Sequence, residues 1–313
     1  MSLLQIKISQ SEEELCIEAS SASGTKEFTL PYEEIDDRFQ FVYDCLEDLE
    51  TKKADEFSKS IQYLSEKIIK PIKNLLEKTD HICFFIDTDF VCHAYDLLEA
   101  NGKPLFLTHA VTYTITDFEI DNDAEIEIED ALIVSDKTCD PEKACKTLHA
   151  KLTKSEYYEM EDISVEEIEE EADDISLLLI SAHGELDDDN SGEITINNES
   201  LTDDELENID CTIVYFDSCQ MGVNVDFLEV FSEEETTQYY MAPIISNDAG
   251  DSSTNTILWF FENLEKAKNP AKSLFATKKK LYQHYSEKKL DKITILNKAF
   301  PFRLYEFDVE EDD

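Results

Sequence analysis

Two short apolar runs dominate the hydropathy pattern of this chain: Ile175-Ser176-Leu177-Leu178-Leu179-Ile180-Ser181-Ala182 and Cys211-Thr212-Ile213-Val214-Tyr215-Phe216. Runs of this length predict strands buried inside a sheet. Ahead of them, residues 2–8 and 14–30 alternate enough to predict short strands, with Ser23-Gly24 and Leu30-Pro31 as punctuation. From Tyr32 to about Lys53, apolar residues recur at three- and four-residue spacings (Phe39, Val42, Tyr43, Leu46), which predicts a helix. A second helix is expected over 55–77, kinked or restarted at Pro71.

His81–Ile86 reads as a buried strand, and 105–107, 110–113 and 131–134 as further extended pieces, the first two after an Asn101-Gly102 turn. Asp140-Pro141 is expected to open a helix, with proline in its first turn. A strand at 193–196 and a short helix at 201–206 capped by Thr202 follow a polar loop over 185–192. Beyond the second apolar run come a helix at 225–231, a strand at 241–246, helices at 253–266 and 271–285 parted by Asn269-Pro270, and a closing strand at 302–307. Strands alternating with helices predict an α/β fold with a mostly parallel central sheet flanked by helices. A small N-terminal region of strands and helix (1–60) is expected to precede the main domain (61–313).

Charge narrows the function classes. The formal net charge is -46, which argues against gripping phosphates, work that needs clustered Lys and Arg, so nucleic acid is not expected as a direct partner. Such a charge suits a basic partner or substrate, high solubility, or mimicry of a polyanion. Residues 156–174 carry eleven acidic residues and no basic one, either as a solvated helix face or loop, or as a surface that recruits a basic partner. The N-terminus reads without a signal peptide, and no apolar run approaches the length of a membrane span. The eight cysteines lack framework spacing, so reduced thiols and a cytoplasmic location are expected, with no membrane partner.

Each of the two dominant runs stops on a reactive residue beside small ones: His183-Gly184 after the first, Asp217-Ser218-Cys219-Gln220-Met221-Gly222 after the second. If the strands are parallel neighbours, His183 and Cys219 meet at their carboxyl ends, where open α/β sheets bind ligands. A cysteine attacks as its thiolate, which an adjacent imidazole can generate. Gly184 would let a substrate approach the backbone, and its N–H, with that of Cys219, could hold a developing oxyanion. The plainer readings are a buried cysteine acting as a small hydrophobe and a structural histidine. Cys139, Cys145 and His149 might share a helix side, but three ligands without a fourth do not argue for structural zinc. No metal or other cofactor is expected. For His81, His93, His109, His149 and His284 the sequence names no catalytic partner.

Ser181-Ala182-His183-Gly184 and Asp217–Gly222 resemble the histidine and cysteine motifs of the caspase-like peptidases, and the order of segments is similar to the CHAT family, the caspase-like domains related to separase. The likeness runs over roughly 61–307. It includes Leu98–Leu105 leading into 110–113, the strand at 131–134 with its following helix, and Ala242-Pro243-Ile244-Ile245-Ser246-Asn247-Asp248. CHAT cysteines commonly sit in a Ser-Ala-Cys-Glu-x-Gly setting, whereas Asp217-Ser218-Cys219-Gln220 looks more like metacaspases. The resemblance implies a caspase-like fold and a cysteine endopeptidase with His183 and Cys219 as its dyad. It also implies that Asp217 selects Arg or Lys before the cut. Strand alternation agrees in putting Asp217 and Cys219 on one side. A plainer role for Asp217 is to bond backbone amides or cap a turn. Bacterial members often serve in defence, including antiviral defence, or in regulated cell death, cutting a partner protein. Any trigger is then expected from a separate activating partner. The competing expectation is a non-catalytic acidic module on the same scaffold.

Overall fold

The computed structural model describes residues 2–49, 53–187, 190–247 and 249–309. Asp188 and Asp189 of the polar loop, Asp248 of the motif after the cysteine, and 310–313 of the acidic tail lie outside the described residues. The chain divides into two compact units: Met1–Asp117 with Asp121–Asp123 and Leu274–Phe300, and Phe118–Ile120 with Ala124–Ser273 and Pro301–Asp313. The boundary expected near residue 60 falls inside a helix, Ala54–Ile68.

In the first unit, β1 (Leu3–Ser11), β2 (Glu14–Ser21) and β3 (Gly24–Pro31) form an antiparallel meander. β1 also pairs in parallel with β4 (His81–Ile86), and β4 with β5 (Ala110–Thr114). Leu4, Ile6 and Ile8 are buried on alternate positions of β1, the period-two pattern of a strand with one covered face. Helix α1 (Tyr32–Glu47) buries Ile35, Phe39, Val42 and Leu46, and α2 (Ala54–Ile68) buries Phe57, Ile61, Leu64 and Ile68, both at helical spacing. Pro71 restarts the chain as expected. α2 ends at Ile68, Lys70–Ile72 forms a 3-10 turn around the proline, and Lys73–Leu76 resumes as helix. The segment 105–107 is a 3-10 turn rather than extended, closed by the Thr108 N–H and hydroxyl, both donating to the Leu105 carbonyl.

The second unit holds β6 (Ala131–Ser135), α3 (Ala144–His149), β7 (Glu156–Glu159), α4 (Val165–Glu171), β8 (Ile175–Ser181) and a three-stranded hairpin sheet, β9 (Gly184–Leu186), β10 (Gly192–Ile196) and β11 (Glu199–Leu201). Then come β12 (Cys211–Phe216), α5 (Val225–Glu233), β13 (Tyr239–Pro243), α6 (Asp251–Ala267) and β14 (Phe302–Glu306). Its main sheet runs β14-β13-β12-β8-β6-β7, parallel throughout except for the last-added β14. The expected α/β class with a mostly parallel sheet flanked by helices is the observed one, consistent with a caspase-like fold. β8 and β12 are internal strands, which explains why they are apolar on both faces.

Two local expectations change. The helix after Asp140-Pro141 starts only at Ala144, because the Asp140 carboxylate takes the N–H groups of Ala144 (2.7 Å) and Cys145 (2.9 Å). Asp140 thus satisfies two of the helix's orphan donors from four and five residues upstream. The acidic stretch is an edge strand, β7, followed by α4, whose Val165 and Ile168 are buried while its glutamates face outward. A capping box joins Ser164 and Glu167 at the start of α4. Among the described residues, no helix is long and apolar enough to cross a membrane.

Candidate active site

β8 and β12 are parallel neighbours, with Ile180 opposite Phe216. The pairing continues beyond the strand ends, since the Asp217 N–H donates to the Ile180 carbonyl at 2.8 Å. His183 and Cys219 follow these neighbouring strand ends, two residues beyond Ser181 and three beyond Phe216. The two backbones meet closely there: a Cβ on Gly184 would stand 2.9 Å from the Cys219 carbonyl oxygen and 3.1 Å from the Met221 side chain. Glycine at 184 is therefore required by this intramolecular approach.

The hairpin leaves the Gly184 N–H available. Thr195 donates to the His183 carbonyl at 2.9 Å, which makes 183 and 195 a hydrogen-bonded pair. Antiparallel pairs alternate, so Gly184 and Ile194 form a non-hydrogen-bonded pair and the Gly184 N–H points away from β10. On the other strand, Gln220 adopts a left-handed backbone (φ 60) directly after the cysteine. A non-glycine residue held there is a place where a fold stores strain at a site. The turn is braced by the Tyr240 hydroxyl on the Met221 carbonyl (2.6 Å) and the Tyr305 hydroxyl on that of Gly222 (2.8 Å).

His183 is exposed, and its orientation is set by a network the sequence reading missed. Its Nε2 lies 2.8 Å from the Thr138 hydroxyl oxygen, which lies 2.8 Å from Asp136 Oδ1. The hydroxyl has one proton, and a carboxylate only accepts. Donated to Asp136, that proton leaves the Thr138 oxygen to accept from Nε2–H. The neutral ring is then the Nε2–H tautomer, with the lone pair on Nδ1. Asp136 and Thr138 follow β6, whose carboxyl end lies beside that of β8. The strand-end rule that found His183 would have found them had it been applied to β6.

Cys219 is half-buried, and its thiol donates to the Asn247 carbonyl at 3.9 Å. Asn247 turns its side chain the other way, donating from Nδ2 to Asp217 Oδ1 (3.0 Å). Asp217 is buried, and its Oδ2 accepts from the hydroxyls of Ser181 (2.8 Å) and Ser253 (2.5 Å). Burial raises the Asp217 pKa, while the Ser253, Ser181 and Asn247 hydrogen bonds pull the other way. Two hydroxyls and an amide thus donate to this buried carboxylate. Ser181 lies within the histidine motif, but Ser253 and Asn247 reach Asp217 only through the fold.

Cys139 sits near the same centre, with its thiol pushed up to about 12, first by burial and then by the Asp136 carboxylate. It is a poor nucleophile. Among the described residues, Cys139, Cys145 and His149 do not converge. Cys139 precedes the helix, Cys145 is buried within it, and His149 Nδ1 bonds the Ser155 hydroxyl. His81, His93 and His109 are buried and hydrogen-bonded within the first unit, so they read as structural.

No protein-family model matches the chain, and no curated protein does either.

Proposed function

We propose that the protein is a cysteine endopeptidase of the caspase-like, CHAT-family type, cutting a partner protein after Arg or Lys. The observation that carries this reading is that β8 and β12 are parallel neighbours whose carboxyl ends lead into His183-Gly184 and Cys219, with Gly184 packed against the Cys219 backbone. His183 Nδ1 takes the Cys219 thiol proton, and the thiolate attacks the scissile carbonyl carbon. The resulting oxyanion is held by the Gly184 and Cys219 N–H groups. On collapse the C–N bond breaks, and the leaving amine takes its proton from His183. Water, deprotonated by the same ring, then hydrolyses the thioester and frees Cys219.

Asp217 is assigned to the side chain before the cut. Its Oδ2 already has two donors, but among the described residues Oδ1 has only Asn247, so acceptor capacity remains for a Lys or Arg head. A cation beside this buried carboxylate would relieve the cost of keeping it ionised. The surface charge of the chain favours basic protein partners in the same way. Cleavage of a partner in bacterial defence or cell death is what the family resemblance implies, and the cysteine usage favours the cytoplasm.

The net charge alone supports the second reading, a non-catalytic acidic module or polyanion mimic. A peptide panel varied at the residue before the cut separates the two. Expected are cleavage after Arg and Lys, its loss in Cys219→Ala, and loss of the basic preference in Asp217→Asn. Cleavage that survives Cys219→Ala overturns the nucleophile. A chain that binds basic proteins and cuts nothing supports the module.

A further inference from the structure

Asp136, Cys139 and His183 bring a carboxylate oxygen, a sulfur and a ring nitrogen within 4.8 Å of one another. We propose that these side chains bind a borderline divalent cation, zinc(II) in the first instance, and that the bound ion switches off the Cys–His centre. The binding site stands on this cluster alone; the switching rests on the peptidase reading. It revises the expectation that the chain takes no metal.

The donor set selects the class of ion. Thiolate, imidazole and carboxylate together suit zinc, whereas magnesium and calcium prefer oxygen alone. Three protein ligands with water in the fourth position make the usual open zinc site. The ligands are also pre-organised. Asp136 and Cys139 belong to one tight turn, in which the Cys139 and Asp140 N–H groups both donate to the Asp136 carbonyl (3.2 and 2.8 Å). That turn is tied to the strand ending in His183, because the Asp136 N–H donates to the Ser181 carbonyl at 2.7 Å.

The Thr138 hydroxyl oxygen marks the centre of the site. It lies 2.8 Å from His183 Nε2, 2.8 Å from Asp136 Oδ1 and 3.9 Å from Cys139 Sγ. Zinc bonds of about 2.0–2.3 Å put tetrahedral ligands about 3.3–3.8 Å apart, so the three donors close in by at most about 1.5 Å while the Thr138 hydroxyl rotates away. His183 is exposed and the other two are half-exposed, so nothing rigid resists this.

Binding changes the chemistry of the ring. Neutral imidazole carries one N–H. With the Nε2 lone pair on the ion, that proton sits on Nδ1, the nitrogen that must accept the Cys219 proton. Cys139 gives up its thiol proton to solvent as it ligates. The ion therefore holds His183 in the unproductive tautomer without touching Cys219.

Cobalt(II), a spectroscopic stand-in for zinc, tests the site in the full chain. In Cys219→Ala, cobalt should give a near-ultraviolet thiolate-to-metal absorption that disappears when Cys139→Ala is added. The affinity should fall by about tenfold or more in Cys219→Ala/His183→Ala. In the unmodified enzyme, zinc should stop peptide cleavage, and Cys139→Ala should raise the half-inhibiting zinc concentration at least about tenfold with basal cleavage unchanged. An absent band, or a band indifferent to Cys139→Ala, overturns the site. Zinc inhibition unchanged by Cys139→Ala overturns the switch. A chain that cuts no peptide at all sinks the peptidase reading, while the cobalt band still decides the metal site.

Discussion

Thr138 does its work through one proton. By accepting from His183 Nε2–H while donating to Asp136, it leaves the ring's lone pair on Nδ1, the nitrogen proposed to take the Cys219 proton. Thr138→Val keeps the shape and removes the hydroxyl, so kcat/KM should fall by about 100-fold, with Thr138→Ser restoring most of it. A structural role alone would lower both variants' stability without moving the pH profile, whereas loss of tautomer control should shift its acidic limb. Asp217 makes a prediction of opposite sign to a salt-bridged carboxylate. Its folded pKa is raised, so the native state holds the proton more tightly than the unfolded chain. Its contribution is therefore most favourable below the ordinary carboxylate value of about 3.9 and declines as pH rises through the folded value. The melting temperature of Asp217→Asn relative to the parent should rise across that window; a constant difference would remove the burial account. His183, Cys219 and Asp217 were legible because each ends or follows an apolar run. Ser253 was not, since no local pattern ties a serine at a helix start to a carboxylate 36 residues earlier.

Among the elements, the period-two and period-3.6 patterns located the long strands and long helices, and failed at the short strands and where side chains compete with the backbone. The helix expected at Asp140-Pro141 is delayed to Ala144 by a carboxylate that caps from outside. The 105–107 segment curls because Thr108 donates back to Leu105. Apolar content alone could not separate that turn from a strand. Hairpin strand β9 was missed because its three residues, Gly184–Leu186, carry no alternation of their own. The stretch 156–174 forms edge strand β7 and helix α4. Helix α4 is held by its capping box and by buried Val165 and Ile168. Ser164→Ala should lower unfolding stability by about 1 kcal/mol, read from denaturant melts. No loss would mean that packing of Ile168 alone sustains the helix.

At the scale of the whole molecule, a net charge of -46 sets the background for every local interaction. Like charges repel in the compact state, and salt screens them with a Debye length of about 10 Å at 0.1 M. The melting temperature should therefore rise with sodium chloride between low and moderate ionic strength; a fall would mean that specific ion pairs outweigh the repulsion. The same field should draw basic substrates in, so kcat/KM for a Lys- or Arg-containing peptide should fall as salt rises, with kcat unchanged. The α/β class and the pairing of the two apolar strands were readable because a buried parallel strand must be apolar on both faces. The division into two units was not, because residues 274–300 return to the first unit from far along the chain. The central claim is that one thiol among eight is activated, and by one histidine. The most direct test treats the full chain with a peptide electrophile bearing arginine beside its reactive carbon and maps the adduct by mass spectrometry. The account predicts modification of Cys219 alone, lost in His183→Ala; labelling spread over several cysteines, or undiminished without His183, would contradict it.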